Sequence, residues 1–301
     1  MTKNEIKALI SLLDDPDQEV AKHVEERLIS LGEEAIPSLE EVWEESLDPE
    51  AQTRIEDLIH ELQFSGLKER LRTWKESGAE DLLEGLWLIS SYQYPDVDYG
   101  AISRQMEQIY YEAWLHIKPD MHPYDQVKAL NNVMFRVCKF SANSKNFHSP
   151  ANSMINIVLE SKRGNPLTLC AIYMTIAQKL ELPIYGVNLP NIFVLTYKNP
   201  EYKMQFYINV YNKGLILSKA DLENYIYQLN LSSTDIFYEP CSNIDIIKRA
   251  LRNLVVSFEK VDDPEKAAEI TMLLEIVSEG DAVAGDDDIT SGADEDDEED
   301  V

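Results

Sequence analysis

Three cysteines and five histidines are the side chains of this 301-residue chain best suited to covalent or metal chemistry, and their spacing restricts both. Cys138, Cys170 and Cys241 stand far apart and odd in number, which argues against a disulfide framework and fits a reducing compartment. No Cys-x-x-Cys, His-x-x-x-His or His-Glu-x-x-His grouping occurs, so a zinc ion has no visible ligand set. The histidines are His23, His60, His116, His122 and His148, and none follows residue 148. A Cys, His, Asp order of nucleophile, base and orienting acid that starts at Cys170 is therefore impossible. What remains for a thiol enzyme is a rearranged dyad, with His148 reaching Cys170 from the preceding loop. Cys170 stands between Leu169 and Ala171-Ile172, and a thiol in such company ordinarily packs as a small hydrophobe.

Other chemistry is weaker still. A Thr168 nucleophile needs an adjacent base, and none stands beside it, so its expected role is to satisfy a helix N-terminus or line a groove. The carboxylate pairs Glu25-Glu26, Glu33-Glu34 and Glu40-Glu41 fall on polar helix faces and read as solvated. No Gly-x-x-x-x-Gly-Lys or Gly-x-Gly-x-x-Gly loop is present, and no cofactor is expected. The net charge is −28; residues 281–301 hold eleven acids and no base, which leaves −17 on the rest. An acidic body disfavours nucleic acid and anionic membrane as partners, and leaves a basic protein open. No run reaches the ~18–20 apolar residues that cross a bilayer. Met1-Thr2-Lys3-Asn4-Glu5-Ile6 has no secretory h-region, so a cytoplasmic location is expected.

The elements that position these residues change character along the chain. Residues 1–63 read as two helix pairs: Ile6, Leu9, Ile10 and Leu13 form one helical stripe, and Val20, Val24, Leu28 and Leu31 another. Asp14-Asp15-Pro16 punctuates the first pair, and Leu47-Asp48-Pro49 repeats the signal 33 residues on, Asp15 to Asp48, in a pattern that resembles HEAT-type repeats. Residues 64–150 stay helical, with Tyr99–His116 carrying an apolar face of Ile102, Met106, Ile109, Tyr110 and Trp114, and a second helix over Tyr124–Phe140. Asn152-Ser153 is expected to cap a helix over Ser153–Ser161, and Arg163-Gly164 to stop it. Asn165-Pro166 then specifies the start of an apolar helix to Leu180, because Asn caps and Pro suits the first helical position. Ile184–Val187, Ile192–Tyr197, Met204–Val210 and Leu215–Leu217 read as an antiparallel meander; with the central helix it forms the 151–240 part of a domain expected over 64–240, whose 64–150 part is helical. Residues 241–279 form a helical hairpin turning at Val261-Asp262-Asp263-Pro264, similar to one tetratricopeptide unit, and 280–301 form an acidic tail expected to be disordered.

The blocks Pro150-Ala151-Asn152-Ser153, Val158 to Leu169 (with Arg163-Gly164-Asn165-Pro166) and Leu182 to Pro190 followed by Phe193 occur in a recognisable order. Over roughly residues 65–260 the chain resembles the bacterial branch of transglutaminase-like proteins named for a regulator of invasion genes. The resemblance implies an α+β, papain-like core with a central helix on an antiparallel sheet. In active members a thiol at the N-terminus of that helix is the nucleophile, a sheet histidine the base, and an Asp on the next strand its orienting acid. Aligning the blocks places Pro166, Ile192 and Asn209 at those three positions, so no catalytic residue is expected. A groove inherited from the enzyme would then present Asn165, Thr168, Asn188, Asn191 and Asn209 to a peptide or small anion; turn and cap roles are the alternative for the asparagines. The reading that follows is a non-catalytic interaction or regulatory module for an unidentified, basic protein or peptide. Its alternative is a cysteine hydrolase or acyltransferase built on Cys170 and His148.

Overall fold

The structure, a computed structural model, describes residues 1–13, 17–118, 120–232 and 234–280; the Asp14-Asp15-Pro16 turn and the 281–301 tail expected from sequence lie outside them. The chain forms two compact units, Met1–Thr73 with Ser91–Pro95, and Trp74–Ser90 with the residues from Asp96 onward. The expected division at 63/64 instead falls within a continuous helix, because nothing in Gln63-Phe64-Ser65-Gly66 stops one.

The first unit is helical: α1 Lys3–Ile10, α2 Gln18–Ile29, α3 Ile36–Glu45 and α4 Pro49–Glu76, whose last three residues belong to the second unit. Thr2 and Glu5 make a reciprocal capping box at α1, and Asp17 accepts from the Glu19 amide at α2. Ile6, Ile10, Leu13, Val24 and Leu28 of the stripes the sequence marks meet in its core with Leu39, Ile55, Leu58 and Leu62, which those stripes do not include, while Leu9 and Leu31 pack partly buried against it. Val20 is the exception: it is exposed, because the core-facing stripe of α2 is narrower than the sequence stripe.

The second unit is α+β. Its helices are α5 Leu82–Gln93 (the end of which lies in the first unit), α6 Tyr99–Trp114, α7 Pro123–Asn131, α8 Ile155–Ser161, α9 Pro166–Lys179, α10 Lys219–Gln228, α11 Asn243–Lys260 and α12 Pro264–Ser278. Two short strands, β1 Ser141–Ala142 and β2 Arg163–Gly164, pair in parallel. The meander is β3 Ile184–Asn188, β4 Phe193–Asn199, β5 Met204–Asn209 and β6 Leu215–Leu217, antiparallel throughout in the order β3-β4-β5-β6. Successive strand residues face opposite sides. Val187, Val194 and Tyr207 pack with Leu222 and Ile226 of α10, while α9 lies along β3 and β4. The first five residues of β4 are consequently buried without alternation.

Four local expectations change. α6 ends at Trp114, and the fully buried Ala113 takes the core position while Trp114 turns outward, 59% exposed. The Tyr124–Phe140 helix is α7 followed by a π-helical turn, Asn132–Val137, in which the Cys138 amide reaches the Val133 carbonyl at 2.8 Å. Asn152-Ser153 does not cap α8; those residues close a 3₁₀ turn, and the Ile155 amide donates to Ser90 Oγ at 2.8 Å. The 241–279 hairpin forms as α11 and α12, but α11 also packs on α9 and β3 and so belongs to the same compact unit. No helix among the described residues is long and apolar enough to cross a membrane.

Candidate functional site

The N-terminus of α9 is built as the sequence indicates. Asn165 Oδ1 accepts from the Thr168 amide at 2.9 Å, and Pro166, which has no N–H to satisfy, opens the helix. Asn165 Nδ2 donates to Ser153 Oγ at 2.9 Å. Ser153 is buried, and Asn165 and Thr168 are 7% and 0% exposed. Thr168 Oγ1 has no hydrogen-bond partner among the described residues. In front of this helix end, Asn152 ties down the 143–152 loop: it accepts from Asn143 Nδ2 at 2.7 Å and donates to the carbonyls of Asn146 (2.6 Å) and Phe147 (2.9 Å). Cys170 is one turn further in and fully buried, its thiol directed at the Phe193 carbonyl at 3.6 Å. Burial pushes that thiol well above its ordinary pKa. His148 stands exposed in the loop, edge-on to Phe147, and Cys170 has no hydrogen bond to it.

The remaining asparagines sit on the sheet rather than around this helix end as a set. Asn188 Oδ1 accepts from Arg249 of α11, whose Nη1 also reaches the Leu189 carbonyl at 2.5 Å. Arg249 lies over the Phe193 ring, 5.9 Å from its centroid, and burial lowers its pKa to about 10. Asn191 is exposed in the β3–β4 turn with φ +61°, a left-handed conformation that Asn tolerates. Asn209 Oδ1 accepts from the Asn212 amide at 3.1 Å and closes the β5–β6 turn. Ile192 packs against the Val187, Tyr207 and Leu222 cluster. Among the described residues no group of three or more His, Cys, Asp or Glu side chains is placed to hold a metal ion.

A cavity of about 810 Å³ opens at the other end of α9. Tyr110, Trp114, Tyr197 and Tyr202 supply its aromatic surface, and Asp120, Lys179 and Glu181 its charges. None of the five candidate groove residues lines it. The reading from sequence missed it because the stripe through Ile102, Met106 and Ile109 assigns Trp114 to a core; the available signal was the aromatic surplus of Tyr110, Tyr111 and Trp114 on one helix.

Residues 100–252, about half of the chain, match the family described as the transglutaminase-like superfamily. The chain belongs to the transglutaminase-like superfamily. A UPF0162 protein of Xylella fastidiosa is 26% identical over 197 residues, which cover 62% of this chain and 68% of that protein. A UPF0162 protein of Vibrio cholerae is 22% identical over 148 residues, 49% of this chain and 54% of that one. Human F-box only protein 21 is 26% identical over 133 residues, 42% of this chain but 21% of its own length. No solved structure matches the chain. The transglutaminase-like region, α6 into α11, contains both ends of α9 and the whole meander. It thus holds the capped helix start at Asn165, the turns at Asn191 and Asn209, and the aromatic cavity.

Proposed function

We propose that this transglutaminase-like protein is non-catalytic and acts as a protein-interaction module with a regulatory role. The observation that supports it best is the closure of the α9 N-terminus. On the sequence resemblance the nucleophile position there is Pro166, and the first-turn amide that would help stabilise a thiolate is already taken by Asn165. The base position is Ile192, packed in a hydrophobic cluster, and the acid position is Asn209, engaged with its own turn. Cys170 is buried against a carbonyl oxygen, an environment that keeps a thiol protonated and inert. The four N-terminal helices read as a HEAT-like pair of repeats, and helix pairs of that kind commonly offer protein-binding surfaces. A partner of basic character suits a chain of net charge −28, and the 281–301 segment would add a salt-sensitive tether to it. Three free cysteines suit a reducing, cytoplasmic setting.

The test is the pH dependence of alkylation at each cysteine of the folded protein, read by peptide mass spectrometry. Cys170 is expected to stay unmodified until the protein is denatured. Reaction in the folded state with an apparent pKa well below the free value of ~8.5, lost in His148→Ala, would overturn the non-catalytic reading.

A further inference from the structure

The aromatic cavity at the C-terminal end of α9 has no part in the arguments about the helix start, and its chemistry is specific. It already contains one bound cation, its own: Lys179 Nζ lies 4.9 Å from the centroid of the Tyr110 ring and 3.3 Å from Glu107 Oε1. An aromatic face together with a carboxylate is a good site for an ammonium or guanidinium group. The same two ingredients recur unfilled in the same cavity. Trp114 and Tyr202 are 59% and 67% exposed, and Asp120 and Glu181 have no ion pair among the described residues. Two helices, α6 and α9, end at the cavity lining, at Trp114 and Lys179, and helix C-termini carry partial negative charge. The positive end there, the start of α7, is occupied by His122 Nδ1, which accepts from the Tyr124 amide at 3.4 Å.

We propose that this cavity docks an arginine or lysine side chain carried on an apolar peptide segment of a protein partner. The proposal rests on the interaction-module reading and assigns that reading its surface. A volume of about 810 Å³ lies in the ~300–1,000 Å³ range of ligand sites and exceeds what a bare ammonium head fills. The neighbouring apolar surface accommodates the rest of the segment: Tyr111 and Leu115 continue the exposed edge of α6 beside Trp114. The protein's acidity raises the local concentration of cationic segments and gives the encounter a salt dependence.

The experiment titrates the full chain with the blocked peptide acetyl-Leu-Arg-Leu-Arg-Leu-amide, its citrulline analogue and tetramethylammonium, reading affinity by calorimetry in every variant and following the indole N–H by NMR wherever Trp114 is kept. The arginine peptide is expected to shift that resonance saturably, and the neutral, isosteric citrulline peptide to bind at least about tenfold more weakly. Asp120→Asn with Glu181→Gln should weaken the arginine peptide to the citrulline level, and Trp114→Ala should abolish binding of both peptides. All three side chains are exposed, so the variants keep the parent's thermal midpoint. Equal affinity for the two peptides, indifference to the double substitution, or tetramethylammonium binding as tightly as the arginine peptide overturns the proposal. These outcomes leave Cys170 chemistry untouched, whereas a reactive Cys170 overturns the non-catalytic reading and leaves the titration as it stands.

Discussion

Replacing Asn165 with alanine separates a structural helix cap from a ligand-binding groove residue. The side chain does two things at once: Oδ1 accepts from the Thr168 amide, and Nδ2 donates to Ser153 Oγ, both at 2.9 Å. Loss of an N-cap costs about 1 kcal/mol. Ser153 is buried, so removing its donor leaves a hydroxyl without that partner, at a cost of about 1–3 kcal/mol. Together Asn165→Ala should destabilise the second unit by about 2–4 kcal/mol. Asn165→Asp keeps the cap and places negative charge at a helix N-terminus, while the Ser153 hydroxyl can turn to donate to it, so its cost should be at most about half as large. Urea unfolding at constant m-value measures both, and each kcal/mol corresponds to roughly 2–4 °C in the thermal midpoint of a domain of this size. Binding of the arginine peptide by the folded fraction should be unchanged. An alanine variant within about 0.5 kcal/mol of the parent would refute the cap argument. A variant of normal stability that fails to bind a partner would return Asn165 to the list of groove residues.

Two further outcomes follow from packing and charge. A Cβ on Gly186 would stand 2.6 Å from Phe193 Cζ and 3.2 Å from Ile246 Cδ1, so Gly186→Ala should cost about 1–3 kcal/mol in urea unfolding, with part regained in combination with Phe193→Leu; a neutral Gly186→Ala would contradict the packing. Asp98, Asp221 and Asp263 are held below the ordinary value of 3.8 chiefly by hydrogen bonds from the Gly100 amide, the Ser218 side chain and the Lys266 side chain respectively. A depressed carboxyl contributes stability above its unfolded pKa and loses it as pH falls through the folded value. These groups should therefore contribute their full stability, unchanged, between pH 7 and 5, and the thermal midpoint should drop below about pH 4 as they take up protons. Asp221→Asn should lower the midpoint at pH 7 and flatten the acid fall; an unchanged acid slope would remove the Ser218–Asp221 capping box from the account.

The sequence is most legible where the signal is local. Asn165-Pro166 specifies the start of α9 because a cap oxygen and a missing N–H answer the same unpaired helix end. The four β-branched and aromatic runs separated by turn residues give the meander in its order, since each hairpin joins neighbours in the chain. Ser218-Lys219-Ala220-Asp221 is an equally local signal, a capping box at the start of α10, and went unused in the reading from sequence. The left-handed turn at Asn191 and the self-closed turn at Asn209 are of the same kind: once the turn is local, the asparagine's partner is a few residues away.

Periodicity determined that α6 has an apolar side; it did not determine what covers it. Ile102, Met106, Ile109 and Ala113 are buried, while Trp114, one residue on, meets the cavity. The π-helical turn after α7 likewise depends on packing, because an i→i+5 register carries no sequence period of its own. Asn188 bonds with Arg249 sixty-one residues later, and Asn165 with Ser153 twelve residues earlier, on the other side of α8 and β2 in the chain. The sequence by itself determined the α+β class, the capped central helix and the absence of a Cys, His, Asp order. Only the tertiary structure decided which polar groups are spent on one another and which aromatic rings stay open, because those depend on contacts between segments that no local pattern links.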